Sequence, residues 1–247
     1  MMKQPTIQWP PTPTQWSLES GEVQVWATSL SRTPQQIAAS AKTLSADEQA
    51  RADRFRFDRD RNRFMAGRGV LRAILGHALN KEPVDIKFAY SERGKPRLIG
   101  HEAVRFNLAH TEDMALLAVA RDWNVGVDVE RIRALRDADG VAKRFFSARE
   151  SNGLNALSGD EKNAAFFNLW TRKEAWLKAT GDGIADGLNQ VEVTFRANEP
   201  VRLISLFGDE QAVREWSLVD LAPAPEFVAA LAVPARDVRV RCWHWMK

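Results

Sequence analysis

One order of elements is written twice along these 247 residues, and that repetition limits the folds open to the chain. A strand-like run, Glu22 to Ala27 or Val125 to Glu130, leads into a helical section in each half. A long helix, a strand and a hairpin follow, the hairpins spanning Val104 to Ala120 and Glu215 to Val233. The pattern predicts an α/β (α+β) fold of two similar modules related by a pseudo-two-fold axis. The modules would be residues 1–121 and 122–247, joined near Arg121 to Asn124, with a ligand cleft between them. With 45% hydrophobic and 27% charged residues, the chain can bury such cores as an ordinary globular protein.

The halves differ where chemistry could sit. In Gly126-Val127-Asp128-Val129-Glu130 the period of a strand puts both carboxylates on one side and both valines on the other. The first half has Trp26 where the second has Asp128, which places any metal chemistry in the second half. Downstream, Phe166 to Gly181 reads as a proline-free helix closed by Gly181 and Gly183. Ala165, Leu169 and Trp176 fall along one apolar side of it. Glu174 and Lys178, four residues apart, lie on another face beside Trp170. Those two also fit a plain surface ion pair worth about 0.3–0.5 kcal/mol. Asp128, Glu130 and Glu174 together suit a hard divalent cation of the magnesium type, which shares its sphere with phosphates and water. No histidine or cysteine cluster points to zinc, and no glycine-rich phosphate loop is present. Phosphate would be held by arginine and lysine side chains instead.

Those side chains are plentiful. Net charge is only +3, but the basic side is rich in arginine, which favours bidentate contacts with phosphate and carboxylate. The densest run, Arg51 to Arg63, is interleaved with Asp53, Asp58 and Asp60. It reads either as a solvated helix laced with ion pairs or as a source of phosphate ligands. Phe64 to Leu79 continues as an amphipathic helix. Ser45 and Ser147, each followed three residues on by glutamate (Glu48 and Glu150), have capping-box spacing. Residues 155–162 read as a polar connection, the proline-bearing stretch 1–16 as a loose lead-in, and 238–245 as a strand or tail. A single cysteine, Cys242, rules out an internal disulfide framework. With no signal core and no apolar run long enough to span a bilayer, the chain reads as cytoplasmic.

The two motifs, some forty residues apart, resemble the paired signature of the 4'-phosphopantetheinyl transferases, in the surfactin-synthetase type with two similar halves in one chain. Gly94-Lys95-Pro96, Phe106-Asn107-Leu108-Ala109-His110 and Arg144 to Glu150 occur in the family's order. The resemblance implies that fold and a magnesium-dependent enzyme. Its reaction would move the phosphopantetheine arm of coenzyme A to a serine of an apo acyl or peptidyl carrier protein, releasing adenosine 3',5'-bisphosphate. By position, Asp128, Glu130 and Glu174 would bind magnesium with the coenzyme A pyrophosphate. Glu174 would also be the base for the carrier serine, and Lys178 would act on the departing phosphate. Arg51, Lys95 and His110, with Arg63 as a further candidate, would hold coenzyme A phosphates. The resemblance implies no nucleic-acid or membrane partner, and two fused halves make a monomer the default. Two positions depart from the family: Ala109 where serine is usual, and Glu48 where some relatives carry a basic residue. A magnesium-dependent phosphohydrolase or nuclease, and a basic nucleic-acid binder built on Arg51 to Arg63, are the alternatives in other classes.

Overall fold

The computed structural model describes residues 7–181, 187–197 and 199–246. Gly183 and residues 1–6 of the expected lead-in lie outside them. In the first half β1 (Glu22–Ser29) leads to α1 (Pro34–Ala41), α2 (Ala46–Ala52) and α3 (Asp58–Leu79). A short pair, β2 (Phe88–Tyr90) and β3 (Pro96–Leu98), precedes the hairpin of β4 (Val104–Thr111) and β5 (Met114–Arg121). The second half repeats the plan with β6 (Gly126–Arg131), α4 (Ala138–Phe145), α5 (Ala148–Asn155) and α6 (Gly159–Thr180). The pair β7 (Val191–Val193) and β8 (Leu203–Leu206) follows, then the hairpin of β9 (Ser217–Leu221) and β10 (Phe227–Val233).

Sheet order shows the repeat directly. The first sheet runs β1-β5-β4 and the second β6-β10-β9, so in each half the leading strand pairs antiparallel with the returning arm of the hairpin. The final strand β11 (Arg239–His244) then crosses back and pairs parallel with β1, so the last residues of the second half belong to the sheet of the first. The lead-in is tied down there too: His244 N–H donates to Pro10 O at 2.8 Å, and Thr12 N–H to His244 O at 3.0 Å.

Strand alternation sorts the apolar side chains into layers. Val23, Val25 and Ala27 of β1 meet Val125, Val127 and Val129 across a core between the sheets. The opposite face of β1, with Trp26, packs with Leu71, Ile74 and Leu75 of α3. The outer face of β10, through Ala230 and Ala232, packs with Phe166, Leu169 and Ala175 of α6. The result is helix, sheet, sheet, helix. Between the sheets, Asn107 on β4 accepts the Val127 N–H of β6 at 2.8 Å, so a side chain takes the place of a ladder bond.

Three expectations change. The helix carrying Glu174 begins at Gly159, not near Phe166, and absorbs half of the expected connection at 155–162. It is buried on most of its circumference, with Arg172, Lys173 and Glu174 covered along with its apolar residues, so the picture of a two-faced surface helix fails. The basic run is not one helix: α2 stops at Ala52 and α3 starts at Asp58, with turn and bend geometry between, leaving Phe55 and Phe57 exposed.

Gly126 explains how β6 can lie against α6. A Cβ there would sit 2.0 Å from Ala175 O and 2.3 Å from Ala179 N, inside the backbone of the helix. Gly126→Ala is expected to cost about 1–3 kcal/mol through overpacking. Urea unfolding should show a lower midpoint with an unchanged slope; an unchanged midpoint would mean the close approach is dispensable.

Candidate active site

Because Gly126 faces α6, so do Asp128 and Glu130, two and four residues on. Asp128 is 6% exposed and its Oδ1 accepts from Lys178 Nζ at 2.6 Å. Lys178 therefore pairs across to the strand; the described ion pairs include none between Glu174 and Lys178. Asp128 Oδ2 and Glu174 Oε1 are both buried and without a hydrogen-bond partner. Orphaned carboxylate oxygens under cover are expensive unless a cation or proton comes to them. Glu130 is held on one side: its Oε2 accepts from Thr111 Oγ1 at 3.1 Å and from Arg133 Nη1 at 3.2 Å.

The electrostatics follow from this crowding. Burial pushes the Asp128 carboxyl up to about 6, against the pull of Lys178. Burial likewise takes Glu174 to about 7, with Lys178 opposing and the Asp128 and Glu130 charges adding to the rise. On β4, partial desolvation holds the His110 imidazole below its ordinary range, and the positive charges of Lys178 and Arg63 push the same way. His110, Lys178 and Arg63 thus feel one another, and an anion placed among them would relieve all three.

The remaining expected residues are placed less simply. Arg63 is already engaged, donating from Nε to Asp113 Oδ1 at 2.7 Å. Lys95 lines a cleft of about 240 Å3 between the halves, with Arg97, Phe106, Asn124, Thr180 and Gly181. Its Nζ donates to Lys178 O and, at 3.0 Å, to Ala179 O, as a cation on the C-terminal carbonyls of α6. Arg51 is exposed, its guanidinium 5.2 Å from the Phe64 ring. Ala109 is buried in the core between the sheets, so a packed methyl stands where the family usually has a hydroxyl. Glu48 does not face a phosphate. It is buried, Arg68 and Arg72 bind it, and its Oε2 accepts Ser45 N–H at 3.0 Å.

The fit to a divalent cation rests on the orphaned oxygens. Among the described residues no three metal-ligating side chains already converge on one point. Asp128 Oδ2 and Glu174 Oε1, with the nearby Glu130, still offer the hard oxygen donors that magnesium takes alongside water and phosphate. Sequence reasoning gave no role to Gly126, Asn107 or Thr111, which set β6 against α6 and β4. An asparagine within β4 and a glycine at the start of β6 were the available signals.

A family model for the 4'-phosphopantetheinyl transferase superfamily matches residues 124–232. A model for the N-terminal part of 4'-phosphopantetheinyl transferases matches residues 25–122. The 4'-phosphopantetheinyl transferase HetI of Nostoc sp. is 42% identical over 240 residues, covering 96% of this chain and 98% of that protein. The 4'-phosphopantetheinyl transferase psf-1 of Bacillus pumilus is 34% identical over 193 residues, covering 78% and 80%. Sfp of Bacillus subtilis, also named a 4'-phosphopantetheinyl transferase, is 27% identical over 160 residues, covering 65% and 70%.

The buried Glu174 charge should be visible in stability. Its pKa is raised on folding, so the folded state carries no penalty below about 4.5; the penalty then grows until the pH passes about 7. In metal-free buffer at pH 8, Glu174→Gln should melt about 3 °C above wild type, the shift that about 1 kcal/mol produces in a chain of this size. At pH 4 the two should melt together. An equal gain at both pH values would show that charge is not the cause.

Proposed function

The chain belongs to the 4'-phosphopantetheinyl transferase superfamily, and on that premise we propose how its residues divide the work of the reaction. The protein is a phosphopantetheinyl transferase, which moves a phosphopantetheine group to a carrier protein. The donor is coenzyme A, and the observation that carries the assignment of the site is the pair of buried, unpartnered oxygens on Asp128 and Glu174. Residues 122–247 supply the metal-binding carboxylates and the catalytic helix. Residues 1–121 supply phosphate contacts, leaving β11 as the strand that ties the two.

Asp128, Glu130 and Glu174 would hold magnesium together with the coenzyme A diphosphate. When bound, the ion neutralises charge on the transferred phosphoryl group. Glu174, poised near neutrality by its burial, accepts the proton of the carrier serine hydroxyl. The serine oxygen bonds to the phosphorus of the phosphopantetheine arm, and the diphosphate P–O bond breaks. Lys178, which pairs with Asp128 at 2.6 Å, would offer its charge and a proton to the departing phosphate of adenosine 3',5'-bisphosphate. His110 and Arg63 extend the positive group beyond Lys178, and Lys95 and Arg97 do so along the cleft. These are contacts that phosphate oxygens would fill. Arg51 would reach a phosphate from the arginine-rich run, whose charge would also steer an acidic carrier. We read the protein as a monomer, with the second half in the place of a partner subunit.

Incubating the protein with coenzyme A, magnesium and an apo carrier should add the mass of one phosphopantetheinyl group to the carrier, and EDTA should abolish the gain. No gain with several unrelated carriers, or a gain indifferent to EDTA, would overturn this reading. Asp128→Ala and Glu174→Ala should each lower transfer at least 100-fold, on the order of the loss when a group acting on the transition state is removed. Circular dichroism should be unchanged, and near-normal turnover would remove the role from that residue. Lys178→Ala should lower kcat more than coenzyme A affinity; a loss confined to binding would contradict its action on the leaving group.

A further inference from the structure

Glu130 is the carboxylate of the site with solvent beside it, and a free glutamate would sample several rotamers there. Two groups reduce that freedom, and both bind the same oxygen, Oε2: Thr111 Oγ1 at 3.1 Å and Arg133 Nη1 at 3.2 Å. Arg133 is itself steadied, its guanidinium 4.9 Å from the centre of the Phe167 ring on α6. Thr111 comes from the other half of the molecule, at the end of β4 next to His110. Both bonds fall on Oε2, so neither of them occupies Oε1. Asp128 is arranged in the same way, with Oδ1 held by Lys178 and Oδ2 unpartnered.

We propose that Thr111 is a positioning residue of the first half. Its hydroxyl orients Glu130 of the second half for cation binding, so that assembly of the metal-binding wall depends on contact between the halves. This rests on the metal role given above to Asp128, Glu130 and Glu174. Outer-shell hydrogen bonds of this kind usually matter for metal affinity by about 10- to 100-fold. Arg133 shares the load on Oε2, which places the expected effect at the lower end. The neighbouring linkage of Arg131 to Glu112 at 3.1 Å and to Glu226 at 2.7 Å keeps the β4–β5 turn close to β6. The hydroxyl therefore has a defined partner to meet.

The test is manganese binding to the full-length protein without coenzyme A, followed by electron paramagnetic resonance, in wild type, Thr111→Val, Thr111→Ser and Glu130→Gln. Valine keeps the shape and strand preference of threonine and removes only the hydroxyl. We expect T111V to weaken manganese binding about 10-fold, T111S to stay within about two-fold of wild type, and both to melt at the wild-type temperature. Unchanged affinity in T111V, an equal loss in T111S, or a loss matched by a fall in melting temperature would each overturn the proposal. If wild type and E130Q take up manganese equally, or neither does, the metal role of Glu130 falls and this inference falls with it. Normal uptake in wild type with none lost in T111V would reject Thr111 alone.

Discussion

Each half of the molecule hangs its long helix on a buried glutamate. In the first, Glu48 closes the cap of α2 and binds Arg72, at 2.6 Å, along with Arg68. Arg72 Nη1 then donates to the carbonyls of Pro83 and Ile86 at 2.9 Å each, where the chain turns toward β2. In the second, Glu150 closes the cap of α5 and binds Lys173 at 2.5 Å. Lys173 Nζ donates to Leu188 O and Val191 O at the matching turn before β7. Arg72 and Lys173 are each the fifteenth residue of a 22-residue helix. Burial alone would raise Glu48, but Arg68, the Ser45 N–H and Arg72 outweigh it and hold the carboxyl below its ordinary range. Such buried pairs add little net stability over apolar packing, yet losing one partner strands a charge at a cost of about 3–5 kcal/mol. What they secure is a single arrangement of cap, helix and following turn, and the site depends on that arrangement.

The same positional match shows where the two halves differ. Glu174 and Lys178 on α6 correspond by position to Ala73 and His77 on α3. In the first half Trp26 occupies the strand position opposite them, its ring tilted against those of Trp16 and Trp243. His77 lies against Trp16 at 4.2 Å and contacts the Trp16 carbonyl. Aromatic rings fill the gap between strand and helix, and no carboxylate faces it from Trp26 or Ala73. In the second half Gly126 brings the backbones together while Asp128 and Glu174 leave two oxygens without partners. One gap is filled with aromatic rings, and in the other two carboxylate oxygens lack partners.

Much of this was legible in the chain. Strands β1 and β6 came through by their alternation and β5 and β10 as short apolar runs, and the repeated order of elements came through because both halves use the same connections. The spacing of Asp128, Glu130, Glu174 and Lys178 was readable because strand and helix periods are fixed. What could not be read was contact between distant segments. Nothing local says that Lys178 pairs with Asp128, that Lys95 sits on the end of α6, or that Glu48 is a buried counter-ion. The start of α6 was misplaced because Gly159, Asp160, Glu161 and Lys162 are polar enough to resemble a loop, although acids in a first turn favour a helix. The run from Arg51 to Arg63 misled by charge: its break at 53–57 is set by packing of α2 and α3 around Glu48, not by a proline or glycine.

The ion pair at the centre of the site links these observations. A carboxylate as covered as Asp128 needs a positive partner, and the chain supplies Lys178 from the next layer. Glu174 has no such partner at Oε1 and holds its proton up to about 7 instead. The two buried carboxyls are thus met in different ways, Asp128 by a lysine and Glu174 by a proton. On the reading proposed above, a cation held by Asp128 would compete with Lys178 for the carboxylate, and the ammonium would then be available to a phosphate. A positive charge placed beside Glu174 would, by the same physics, lower the affinity of its carboxyl for a proton.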